Sequence, residues 1–492
     1  MVAFNSEKYL ELQSEKILER INNSGDRLYL EFGGKLFDDY NASRVLDGFK
    51  YDAKVKLLEK LKDKLEIIIC ISACDIEKNK IRADYGITYG LDVFRMIDKF
   101  KELQLSVNSV VVTQYQNQFS ADVFINKLKA FGIKAYTHSY IEGYPSDIDL
   151  LLSDKGYGAN KYVKTEKPLI VVTGPGPGSG KLATCMSQIY HEHKKQIKSQ
   201  YAKFETFPVW NLPLKHPVNV AYEAATLDLN DVNIIDPFHL ETYGEIAVNY
   251  NRDVEVFTVV KTILQKITGN NTYNSPTDMG VNMVGFCIDN DEGICYSAKQ
   301  EIIRRYYNTI CDHKKGIANE AMVTKAKLLM SQLEILPTDR KVVTPAIEKS
   351  KKANTPSVAI ELNNGDIITG KTTKIMTAGA TVVLNAIKHL AGIDDKILLI
   401  SENVLKPIQD LKKMLLEDEE ILLDAEDILP ALSVCAVTNP TAGMALEKLK
   451  ELRGVEAHST YMMTEGEEAI YRSLKICITS EPNLMYNKLY VQ

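Results

Sequence analysis

Three apolar runs constrain the fold more than any other feature of the chain. Residues 66–72 read EIIICIS, residues 109–113 SVVVT and residues 169–173 LIVVT. None alternates polar with apolar, so each predicts a strand covered on both faces, as in the middle of a parallel sheet. Each run is followed by helical spacing, at 90–103, 121–131 and 182–196. A fourth strand is expected at 133–136, after the helix-ending Gly132. Strands alternating with helices in this way predict an α/β fold built on Rossmann-like, doubly wound parallel sheets.

With 492 residues the chain exceeds one ordinary core. Lys167-Pro168 and Leu336-Pro337 suggest the breaks. The expected units are a Rossmann-like α/β domain at 1–165, an α/β domain with a helical extension at 166–336, and a smaller C-terminal α/β domain at 337–492. In the last, Asn363-Asn364-Gly365 between 358–362 and 366–369 signals a hairpin. Further strands are expected at 397–400, 461–463 and 476–479.

Lys plus Arg number 59 against 65 Asp plus Glu, a net charge of −6. That balance argues against non-specific nucleic-acid binding. No apolar run approaches the roughly 20 residues of a membrane span, and no signal-like start is visible. The eight cysteines contain no CxxC pair, which suits the reducing cytoplasm. A homo-oligomer is compatible with this composition.

The strand at 169–173 runs straight into Gly174-Pro175-Gly176-Pro177-Gly178-Ser179-Gly180-Lys181 and then a helix. Glycine lets a backbone approach an anion, and a helix N-terminus points unpaired N–H groups at it. Gly174, Gly176, Gly178, Ser179, Gly180, Lys181 and Thr184 are therefore the candidate phosphate-binding residues. The P-loop pattern is not met, because Pro175 stands at its first glycine and Leu182 at its Ser/Thr position. GxGxxG is not met either. The competing reading is a structural turn.

Ligands of an open parallel sheet sit outside the carboxyl ends of its strands. Asp75, Lys80 and Arg82 follow the first strand and Gln114 the second, so all four are candidates to line that crevice, or else are ordinary loop residues. Asp236 and His239 follow an apolar run at 232–235 and could form an acid/base pair or share a divalent metal. Lys215 and His216 lie in a Pro-rich loop and could close over a substrate. Local packing of each His is the competing reading. Arg304-Arg305 with Tyr306-Tyr307 could clamp an anion, but salt bridges along a helix edge are the stronger expectation. HExxH and GxSxG are absent, which removes the usual zinc-protease and serine-hydrolase motifs.

Several phrases carry a wider resemblance: LYLEFGGKLFDDYNASRVLDGF, ISACDIEKNKIRADYGITY, VVTGPGPGSGKLATCMSQIYHEHKK, YAKFETFPVWNLPLKHPVN, NDVNIIDPFHLETYGE, NYNRDVEVF, SPTDMGVNM and LRGVEAHST. They resemble the bacterial family filed as domain of unknown function 1846, over essentially the whole chain. The resemblance implies a cytoplasmic protein with a Rossmann-like N-terminal part and a smaller C-terminal α/β domain. It implies no activity. An ATP-dependent peptidase label carried by some members finds no motif here.

The functional expectation is an enzyme acting on a phosphorylated small molecule or nucleotide, by phosphoryl or nucleotidyl transfer. Lys181, Asp236, His239, Lys215 and His216 would be its catalytic residues, and a divalent metal or a nucleotide its cofactor. The alternatives are a non-catalytic ligand sensor, or a hydrolase outside known motifs with Cys74 or Ser179 as nucleophile.

Overall fold

The computed structural model describes residues 2–82 and 85–485. The chain divides into two compact units, Met1–Lys299 and Gln300–Gln492.

The first unit carries β1 (Arg27–Phe32), β2 (Leu65–Ser72), β3 (Ile81–Arg82), β4 (Ile87–Thr88), β5 (Val107–Tyr115), β6 (Ala135–Ser139), β7 (Leu169–Thr173), β8 (Ser199–Phe204), β9 (Asn233–Ile235), β10 (Val248–Tyr250) and β11 (Gly280–Val281). Seven of them form one parallel sheet in the order β11-β8-β1-β7-β2-β5-β6. β3 with β4 and β9 with β10 are separate antiparallel pairs. The apolar runs behave as expected. Every residue of β2 and of β7 is buried, and both strands are interior.

The strand order also explains where a crevice opens. After β2 the chain proceeds outward to β5 and β6. After β7, which is β2's neighbour, it proceeds the opposite way to β8. Right-handed crossovers running in opposite directions place their helices on opposite faces. Helix Lys181–Lys194 and helix Asn251–Thr268 share one face, packing on Tyr29, Ile68, Cys70, Ile170, Val172 and Tyr201. The gap between the C-terminal ends of β2 and β7 is the switch point where doubly wound sheets bind ligands.

The boundary expected at 165/166 falls inside this sheet. β7 and β8, from beyond residue 166, flank β1, so neither expected unit could complete its sheet alone.

The second unit holds β12 (Ser357–Glu361), β13 (Ile367–Lys371), β14 (Glu456–Ser459) and β15 (Cys477–Ser480) in the order β13-β12-β14-β15. β12 is antiparallel to both neighbours, and β14 and β15 are parallel, so the sheet is mixed. The hairpin at 363–365 is present. No strand forms at 397–400, where Leu399 and Ile400 are buried in the core from irregular chain. Near 461–463 the strand lies earlier, at β14, and Tyr461 and Met463 anchor the loop after it. In both places apolar residues bury themselves without pairing in the sheet, while Ile397 and Leu398 stay exposed.

Candidate functional site

The glycine loop leaves β7 at the switch point, and its glycines are held there by close neighbours. A Cβ on Gly174 would collide with the Cys70 carbonyl of β2, and one on Gly176 with the Tyr89 phenol. A Cβ on Gly180 would lie 2.6 Å from Thr113 Oγ1. Gly178, at φ +74°, faces open space, and Gly180, at φ +80°, sets the start of helix Lys181–Lys194. Among the described residues, no protein backbone carbonyl accepts from the amides of residues 178–183. Lys181 folds back over the loop, its Nζ 3.2 Å from the Gly176 carbonyl oxygen and 3.4 Å from Ser179 Oγ.

Two of the proposed loop ligands are inside the protein. Ser179 is fully buried and its hydroxyl donates to the Gly176 carbonyl at 2.9 Å. Thr184 is fully buried and accepts from the Cys70 thiol at 3.4 Å. Ser179 thus lacks the access a nucleophile needs. Burial pushes the Cys70 thiol up to about 12, so it stays protonated.

The residues after β2 and β5 divide. Ser72 Oγ donates to Gln114 at 2.7 Å and caps the helix Ala73–Glu77, which ties Gln114 to the end of β2. Lys80 lies 3.5 Å from Asp75 and over the Tyr89 ring that covers Gly176. Arg82 is spent in a 2.6 Å ion pair with Asp92, which is fully buried. That pair is structural rather than crevice-lining.

Strand register brings together a charged cluster that no local spacing announced. Glu31 of β1 is paired with Lys203 of β8 and with Val172 of β7, and side chains alternate, so both point to the face of helix Lys181–Lys194. Lys203 is bonded to Asp253 and to the Tyr250 hydroxyl, and lies 3.1 Å from Glu205. Glu31 accepts from Tyr201 at 2.8 Å. Tyr250 and Asp253 begin helix Asn251–Thr268. The N-terminus of helix Asn251–Thr268 thus flanks the cluster, which favours the negative charge gathered there.

Burial opposes charge on Lys203, but Asp253 foremost, then Tyr250, Glu205 and Glu31, hold its ammonium well above the ordinary lysine value. Burial pushes the Glu205 carboxyl up to about 7; nearby Asp253 adds to this and Lys203 counters it. Beside the cluster an apolar cavity of about 150 Å³ opens between the two helices, lined by Leu182, Met186, Val256, Val259 and Ile263 and roofed by Tyr144-Pro145.

The two histidine loops are elsewhere. Among the described residues, no hydrogen bond, ion pair or ring contact links His216 or His239 to residues 174–181. The expected Asp236–His239 pair does not form. Asp236 is fully buried as the N-cap of helix Pro237–Tyr243; Oδ1 accepts from the Phe238 and His239 amides and Oδ2 from the Thr277 amide and hydroxyl. With both oxygens occupied it has no capacity for a metal or a proton relay. His239 instead meets Ser275 Oγ at 3.0 Å and Asp278 at 3.8 Å. Lys215 is exposed, and His216 caps helix Pro217–Ala225 while bonding Asp291 at 3.0 Å. Arg304 and Arg305 both bond Glu301.

None of the helices formed by the described residues is long and apolar enough to cross a membrane. Comparison with known families gives two matches, "Domain of unknown function DUF1846, N-terminal" over residues 2–334 and "Domain of unknown function DUF1846, C-terminal" over 338–490. A UPF0371 protein of Clostridium tetani is 54% identical over 498 residues, covering 99% of each chain. A UPF0371 protein of Fusobacterium nucleatum is 54% identical over 505 residues, covering 99% of this chain and all of the other. A UPF0371 protein of Clostridium botulinum is 53% identical over 498 residues, covering 99% of each. The chain belongs to the DUF1846 family.

Proposed function

We propose that the protein is an enzyme that binds a phosphorylated small molecule or nucleotide at the C-terminal edge of its seven-stranded sheet. The observation that carries this reading is the glycine loop at the switch point, where, among the described residues, no backbone carbonyl accepts from the amides of 178–183 and Lys181 lies over the loop. The phosphate takes the place Lys181 now fills by bonding its own loop. Lys203 balances the charge that develops. Glu205, titrating near neutral pH, gives or takes a proton. The apolar cavity receives a non-polar part of the substrate. Phosphoryl or nucleotidyl transfer is the reaction class such a site suits, because positioning and charge neutralisation are most of what it requires. Asp236, His239, Lys215 and His216 have no part in this reading.

Melting the full-length protein against inorganic phosphate, sugar phosphates and nucleoside mono-, di- and triphosphates tests it. A ligand at saturating concentration is expected to raise Tm by about 2 °C or more, and Lys181→Ala to remove the rise. No shift across the panel overturns the reading. Binding with no turnover in the same panel would favour a ligand sensor over an enzyme.

A further inference from the structure

Away from the crevice, His216, Asp291 and Cys295 converge on a point. His216 Nε2, the Asp291 carboxylate and Cys295 Sγ all lie within 4.8 Å of one another. His216 Nε2 is 3.0 Å from Asp291 Oδ1 and 3.5 Å from Cys295 Sγ, and Cys295 Sγ is 3.8 Å from Asp291 Oδ2. We propose that these three side chains form a binding site for a zinc-class divalent ion, with the fourth coordination position open to solvent.

The distances carry the argument. Zinc bonds of about 2.0 Å to nitrogen or oxygen and about 2.3 Å to sulfur, at a tetrahedral angle, place the ligand atoms about 3.3–3.6 Å apart. The His216–Cys295 separation of 3.5 Å falls in that range. Asp291 reaches His216 with Oδ1 and Cys295 with Oδ2, so a small rotation of its exposed carboxylate brings one oxygen to both. The donors are one nitrogen, one sulfur and one oxygen, a set that suits zinc and its neighbours and not magnesium or calcium, which take oxygen. Two rigid elements present them. Asp291 and Cys295 are one turn apart in helix Asp291–Lys314, so they share a face. His216 immediately precedes helix Pro217–Ala225, its side chain 9% exposed. The Asp291 side chain is 70% exposed, which leaves a path for the ion and for a water on it.

A nucleophilic Cys–His–Asp triad does not fit the same atoms. There the carboxylate holds the ring nitrogen opposite the nucleophile. Here Asp291 and Cys295 address the same nitrogen, while Nδ1 meets the Val218 amide at 3.3 Å. An ordinary His–Asp surface pair accounts for two of the groups and not for the thiol. Coordination through Nε2 moves the ring proton to Nδ1, at the loss of that long cap contact.

The test uses full-length protein stripped with a chelator and titrated with cobalt(II), whose thiolate complexes absorb by sulfur-to-metal charge transfer. About one equivalent is expected to bind with that band, and zinc to remove it by displacement. Cys295→Ser is expected to abolish the band, and Asp291→Asn to weaken binding by about tenfold or more. Both substitutions are conservative in shape, and circular dichroism checks that each variant is folded. No charge-transfer band in the wild type, or an undiminished band in Cys295→Ser, overturns the proposal.

Discussion

Glu205 shows how folding changes the chemistry of one carboxyl. Burial, the repulsion of Asp253 and the attraction of Lys203 leave it titrating at about 7, against 4.5 unperturbed. The folded state therefore holds a proton that the unfolded chain releases between these values. The stabilisation is fully present below about pH 4.5 and is lost as pH rises through about 7. Glu205→Gln keeps the shape and removes the titration. Relative to the variant, the wild type is expected to lose on the order of 1–3 kcal/mol between pH 5 and pH 8, read from urea midpoints. A constant difference across that range would show that Glu205 does not titrate there. Glu205, Lys203 and Glu31 were invisible in the sequence because polar residues at strand ends are ordinary, and register alone joins Glu31 to Lys203. Asp236 and His239 drew the eye because they are close in sequence. Asp236-Pro237 and His216-Pro217 are better read as a cap followed by proline at the first helical position. That signal was present, and it points to structure rather than catalysis.

Among the elements, the interior strands were the most legible, because burial on both faces writes itself as an unbroken apolar run. Short edge pairings such as β11 have no such signature; their neighbours supply the order. The glycine loop was legible as a turn at a strand end, but the sequence did not show which glycines packing requires. The structure separates them. Gly178→Ala adds a Cβ in open space at φ +74° and should cost about 1–2 kcal/mol. Gly180→Ala adds the same backbone strain at φ +80° and crowds Thr113, whose hydroxyl already donates to the Ser179 carbonyl at 2.9 Å. It should cost about 2–5 kcal/mol. Equal costs in chemical denaturation would contradict the packing assigned to Gly180.

At the scale of the whole molecule, fold class followed from the sequence. β7, which follows Pro168, lies between β1 and β2, a long-range pairing that no local signal encodes. The second unit begins at Gln300, within helix Asp291–Lys314, and buried side chains tie its early part to its sheet, Tyr307 and Cys311 on that helix and Arg340 after it. Arg340 is 2% exposed, and its guanidinium donates to Thr479 Oγ1 at 3.1 Å and to the Ala457 and Cys477 carbonyls at 3.2 and 2.8 Å. It also pairs with Glu456. Arg340→Ala removes these bonds to β14 and β15, and should destabilise this unit by about 3–5 kcal/mol. Arg340→Lys keeps the charge but not the fork, and should recover only part of the loss. The chain has one tryptophan, Trp210, bonded to the Asn282 carbonyl within the first unit. Its fluorescence reports that unit alone, whereas circular dichroism reports both. Each unit has its own apolar core, so Arg340→Ala is expected to bring forward part of the dichroism transition and leave the Trp210 midpoint in place. A Trp210 midpoint that moves in step with the dichroism would show that the two units unfold as one.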